Sequence, residues 1–213
     1  MTAHITDREK IMGRKSNYEQ IRNSLQTGDI VLFSGNSTVS NLIKWFTGSK
    51  WSHVGVVISV GQWDIKLLLE STTLSKIKDI TSDDYIQGVQ LVPLSERIIN
   101  HEGDIAIRKL VGERTLHTIS SIVKFRNEIK NRPYEKSKLE LFRSAFGGAF
   151  DNTKEDLSSL FCSELSAELY QRAEWLPNDI ASNKFIPKSF STESREIDSK
   201  LLRSVRLENE ILL

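Results

Sequence analysis

The chain has 213 residues, a formal net charge of +1 at pH 7, 27% charged residues and 38% hydrophobic ones. That is the composition of one domain, or one domain with arms, with enough apolar residues for a substantial core and no electrostatic case for nucleic acid as the main partner. A single cysteine excludes an intrachain disulfide framework, and no Cys/His cluster has zinc-finger spacing. Neither a signal-peptide apolar run nor the roughly 20 apolar residues of a membrane span is visible, so a cytoplasmic location and no transmembrane segment are expected.

In chain order, residues 5–25 read as a weakly amphipathic helix with Ile11, Tyr18, Ile21 and Leu25 inward. A Gln26–Asp29 turn leads into a short buried strand, Ile30–Phe33. Ser34–Thr38 is a turn and cap, and Val39–Phe46 fits one amphipathic helix closed by Gly48. This stretch is no P-loop, because the Gly-Lys-Ser ending is missing. Ser52–Ile58 is a β-branched strand whose period of two puts His53, Gly55 and Val57 on one face and Val54, Val56 and Ile58 on the other. Gly61-Gln62 turns into a second strand, Trp63–Thr72, and further strands are expected at Gly88–Pro93 and Asp104–Leu110. The expected fold class is therefore α+β, a mainly antiparallel sheet of about five strands packed against helices at 114–130, 136–147 and 159–173. Ser189–Leu213 reads as a docked helix or a loose arm.

The last helix holds the only cysteine, in Leu160-Phe-Cys-Ser-Glu-Leu165. Phe161, Leu165, Leu169, Ala173 and Leu176 recur at helical spacing, and Asp156, Ser158 and Ser159 stand where caps belong. If either serine caps, Cys162 lies in the first turn, where the dipole and free N–H groups favour a thiolate. The same spacing fits an inert core cysteine. A nucleophilic thiol needs a base and a group that orients the base. Of His4, His53, His101 and His117, only His53 stands at the mouth of an apolar strand, with a glycine two residues on that leaves room above the sheet. A structural strand histidine fits that position too. Glu70, ending an apolar run on the next strand, is the plausible orienter of the imidazole, or else a solvated strand-end acid.

Leu25-Gln-Thr-Gly-Asp-Ile-Val-Leu-Phe33 followed by Trp51-Ser-His-Val-Gly-Val-Val57 resembles the opening of the circularly permuted NlpC/P60-like, papain-like cysteine hydrolases of the YiiX type. The resemblance runs through Leu69-Glu-Ser71, Gly88–Leu94, Ile105–Lys109 and Arg132-Pro-Tyr134, and closes with Ser159–Tyr170 and Phe185–Phe190. It implies a permuted papain-like domain over residues 25–190, an N-terminal helical arm over 1–24 and a C-terminal tail over 191–213. It also implies Cys162 as nucleophile, His53 as base and Glu70 as the acidic third member. Tyr134 matches a tyrosine near the nucleophile, whose hydroxyl either assists an oxyanion hole beside the Cys162 N–H or packs the cleft wall. Asp29 matches a structural turn residue. Two departures stand out: Ser166 replaces a bulky aliphatic residue, and the secretion or lipoprotein signals of many relatives are missing.

The implied activity is hydrolysis of an amide (peptide or isopeptide-like) or ester bond through an acyl-enzyme, with no metal and no cofactor expected. The expected partner is a small peptide-like or acyl substrate. Lecithin:retinol acyltransferase-like lipid acyltransferases and phospholipases share the permuted layout, so a lipid is the second substrate class. A non-catalytic binding module on the same scaffold is the rival from another class.

Overall fold

The computed structural model of the chain describes residues 7–36, 38–72, 76–130, 158–202 and 205–213. The expected helix at 136–147 lies outside these residues.

Six antiparallel strands form the central sheet. They are β1 (Ile30–Gly35), β2 (His53–Val60), β3 (Ile65–Thr72), β4 (Gly88–Pro93), β5 (Gly103–Arg108) and, numbered by chain order, β8 (Ile211–Leu212). Their spatial order is β4-β3-β2-β1-β5-β8. A separate ribbon pairs β6 (Leu110–Val111) with β7 (Arg206–Leu207). The fold is thus α+β, and the strand beyond the expected five comes from the C-terminus.

Alternation along the strands sorts the core into two layers. Ile30, Leu32, Val54, Val56, Leu67, Leu69 and Ala106 face one side, while Val31, Phe33, Val57, Leu68, Val92, Ile105 and Ile107 face the other. The first layer is covered by α4 (Leu116–Ile129) and α5 (Ser158–Arg172). Thr115 caps α4 by accepting from the Thr118 N–H at 3.1 Å, and Thr118, Ile122, Phe125 and Ile129 line its buried stripe at helical spacing. The second layer is covered by α1 (Asp7–Arg22), through Tyr18, and by α3 (Leu94–Ile99), through Leu94 and Ile98. Arg14 of α1 donates to the carbonyls of Ile98 (3.3 Å), His101 (2.5 Å) and Gly103 (2.5 Å), satisfying acceptors at the end of α3. Between β1 and β2 the chain runs through α2 (Thr38–Thr47).

Asp29 behaves as a turn residue. Its carboxylate accepts from the N–H groups of Gln26 and Leu110, both at 2.9 Å, and from Arg114 at 3.2 Å. Gly28 beside it has φ +98°, and a Cβ there would lie 2.6 Å from the Trp175 ring, so the turn admits no side chain.

Among the described residues of Ser189–Leu213 there is no α-helix, only short 3-10 turns such as Asp198–Lys200 and two short strands, and the segment is docked rather than loose. Ile211 and Leu212 pair with Ile107 and Ala106, and Leu207 pairs with Leu110. The segment is held by Arg108, which has no solvent exposure. Its guanidinium meets Asp198 at 2.8 and 3.0 Å and donates to the carbonyls of Phe190 (2.9 Å) and Glu208 (2.8 Å). Breaking a buried pair of this kind leaves an unmatched charge. Asp198→Ala is expected to lower the unfolding free energy by about 3 kcal/mol in urea titrations, whereas Lys78→Ala, which breaks the exposed Lys78–Asp83 pair, is expected to leave the urea midpoint close to that of wild type. Equal effects would contradict the clamp.

Candidate active site

His53 is the first residue of β2, paired with Phe33 of β1. β2 and β3 are antiparallel with Val56 opposite Leu69, which makes Glu70 a diagonal neighbour of His53 on the same face. The expected pairing is therefore found: His53 Nε2 lies 2.7 Å from Glu70 Oε2. The Cys162 thiol is close enough to the same ring to raise its affinity for a proton. Cys162 and Glu70 have no solvent exposure, and His53 retains 8%.

Two expectations are corrected. The space above Gly55 is not left for a reacting group, because the Leu68 side chain fills it, 2.8 Å from where a Cβ would stand. Helix α5 already includes Ser158, so Cys162 lies beyond its first turn. Only the first four N–H groups of a helix lack an internal acceptor. The Cys162 N–H is therefore not the free oxyanion donor expected. Tyr134 lies outside the described residues, as does His4.

Cys162 packs with the layer of Val54 and Val56, whereas His53 and Glu70 alternate onto the opposite one. They meet because His53 opens its strand at the rim of the sheet. Ser166 has a local role that an aliphatic residue lacks, since its hydroxyl donates to the Cys162 carbonyl at 2.8 Å. Ser163 donates to the Phe185 carbonyl at 2.7 Å and ties the helix to the segment beside it.

Two residues that the sequence reading missed complete the surroundings of Glu70. Gln90 Nε2 of β4 donates to Oε1 at 2.7 Å, and Arg97 Nε of α3 reaches Oε1 at 3.0 Å and Oε2 at 3.1 Å. The Arg97 guanidinium also lies over the Phe33 ring, 4.4 Å from its centroid, and Phe33 packs against His53 at 5.6 Å. A signal for Gln90 existed: it is a polar residue inside Val89-Gln-Leu-Val92. Arg97 gave none, because Ser-Glu-Arg on a short helix reads as solvated.

Burial pushes the Glu70 carboxyl up, but Arg97, His53 and Gln90 together outweigh it and hold it down at about 2. Burial pushes His53 down, and the Cys162 and Glu70 neighbours overcome this to raise it to about 9. His101 goes the other way. Burial, then Arg97 and Arg14, lower it to about 3, so its neutral ring donates Nε2–H to the Ser34 carbonyl at 3.3 Å. His117 is exposed. Among the described residues, no group of three or more His, Cys, Asp or Glu is gathered as a metal site, and no helix is long and apolar enough to cross a membrane.

No family model matches the chain, and no curated protein matches it. Among solved structures it is similar to the crystal structure of metalloprotein yiiX from Escherichia coli O157:H7 (DUF1105), with 16% identity over 89% of this chain and 96% of that one. The TM-score is 0.48, and at that distance the likeness carries no argument about chemistry.

The shifts fix the sign of the pH dependence. His53 binds its proton more tightly when folded, so its contribution to stability is full below 6.5 and is lost as the pH rises to about 9. Glu70 contributes above 4.5 and loses this as the pH falls toward about 2. His101 contributes above 6.5 and loses this as the pH falls toward about 3. An NMR titration of the imidazoles is expected to show His53 protonated until about pH 9 and His101 neutral down to about pH 3. A His53 midpoint near 6.5 would contradict the arrangement.

Proposed function

We propose that the chain is a thiol hydrolase of the permuted papain-like type, acting on an amide or ester through Cys162, His53 and Glu70. One observation carries the reading: a single imidazole lies 2.7 Å from a fully buried carboxylate, and the only cysteine of the chain is close enough to act on the same ring. A structural strand histidine needs one partner, and a core cysteine needs none.

In the proposed cycle the proton shared by Cys162 and His53 already rests on the imidazole, and the sulfur, as a thiolate, forms a bond to the substrate carbonyl carbon. The tetrahedral intermediate collapses as His53 returns the proton to the leaving nitrogen or oxygen, and an acyl-thioester remains. Water then attacks the thioester with His53 as base, releasing the carboxylic acid and restoring the thiolate beside protonated His53. Glu70 holds the ring in one tautomer and stabilises the imidazolium. With Glu70 and Arg97 already opposed, having the shared proton on His53 rather than on Cys162 leaves the net charge of the buried group unchanged. That keeps the thiolate from being an unmatched charge in a low-dielectric site. Peptide-like and isopeptide amides are the leading substrate class, because a protonated His53 is placed to deliver a proton to an amine that leaves poorly without one.

The test is alkylation of the folded protein by iodoacetamide at pH 7, followed by mass spectrometry at its single cysteine. His53→Ala is expected to slow labelling by on the order of 10²-fold or more, and Glu70→Gln by less. Wild type and His53→Ala labelling at the same rate would oppose an activated nucleophile.

A further inference from the structure

A carboxylate with no solvent exposure protonates unless positive charge and donors surround it. In this site His53 cannot be the sole source of that charge, since its proton is the one the chemistry moves. The Arg97 guanidinium supplies a charge that stays. Its Nε bridges both Glu70 oxygens at 3.0 and 3.1 Å, while Gln90 takes Oε1 and His53 takes Oε2. The arginine is itself confined, because it stacks on Phe33 and rides on α3. Helix α3 is in turn tied to α1 by Arg14 at the carbonyls of Ile98, His101 and Gly103.

We propose that Arg97 is a positioning residue for the candidate nucleophile, clamping Glu70 as a carboxylate aimed at His53 Nε2. The inference rests on the thiol-hydrolase reading and names the residue that controls its pH range. Arginine suits the place better than lysine. Its planar, weakly hydrated guanidinium lies over an aromatic ring while its Nε–H is shared between two oxygens, whereas an ammonium is a strongly hydrated point charge. Among the described residues, the titratable groups that face this carboxylate from the surrounding elements are His53 of β2, Arg97 of α3 and, through His53, Cys162 of α5. His101 and Arg14 lie behind Arg97, and β4 contributes the neutral Gln90.

The test is the pH profile of Cys162 alkylation by iodoacetamide in full-length wild type, Arg97→Gln, Arg97→Lys, Glu70→Gln and the Glu70→Gln/Arg97→Gln double variant. Arg97→Gln keeps a donor and removes the charge. Its acid limb is expected to move toward neutrality by about one pH unit or more. Arg97→Lys keeps the charge without the two-oxygen clamp, so its acid limb stays and its plateau falls several-fold. In the Glu70→Gln background Arg97→Gln is expected to change nothing further, since its target is gone. An Arg97→Gln profile that superimposes on wild type overturns the proposal, as does an equal effect with and without Glu70. If Arg97→Gln does not fold, Arg97→Lys decides: a profile identical to wild type in limb and plateau overturns the clamp. His53→Ala in the same series separates the two readings. Fast labelling there removes the thiol hydrolase itself, whereas slow labelling there with an unaltered Arg97→Gln removes the clamp alone.

Discussion

A fully buried carboxylate is the constraint around which this site is built. Moving Glu70 out of water costs several kcal/mol unless donors replace its hydration. The replacements come from three elements: His53 on β2, Gln90 on β4 and Arg97 on α3. Satisfying one side chain therefore ties together two neighbouring strands and the helix that follows β4. The orientation of His53 is a by-product of that satisfaction, and the position of the imidazole beside Cys162 depends on it.

The two faces of the sheet divide the labour. α5 brings the thiol from the layer of Val54 and Val56, and α1 and α3 support the carboxylate from the opposite layer. His53 can serve both because it is the first residue of its strand, at the rim. At mid-strand, alternation would commit the ring to one face and separate it from Cys162. The N-terminal helix gains a function in this arrangement, since Arg14 closes the end of the helix that carries Arg97. At the far edge, Arg108 plays a comparable structural part by fixing the C-terminal segment that adds β8 to the sheet.

What the sequence made legible was whatever its local pattern encodes. Strands β1 to β5 announce themselves by alternation and flanking turns, and the Cys162 helix by its apolar spacing. His53 and Glu70 could be paired on paper because a hairpin connects them. Arg97 could not, since its place depends on α3 folding back over the sheet, and nothing within Leu94–Ile99 records that return. Strands β7 and β8 escaped for the same reason. Each has two residues, too few for a period, and their partners lie about a hundred residues away in sequence. The start of α5 was misjudged because Ser158 and Ser159 read as caps, whereas both lie within the helix. That error carried the oxyanion assignment of the Cys162 N–H with it.

The most direct measurement is intact-mass spectrometry of the protein exposed to an activated ester such as p-nitrophenyl acetate. The account predicts a transient gain of one acyl group on Cys162 in wild type, lost again by hydrolysis, with both formation and loss slowed in His53→Ala. An acyl group that never forms on Cys162, or that forms and leaves at the same rates without His53, would contradict a His53-activated nucleophile.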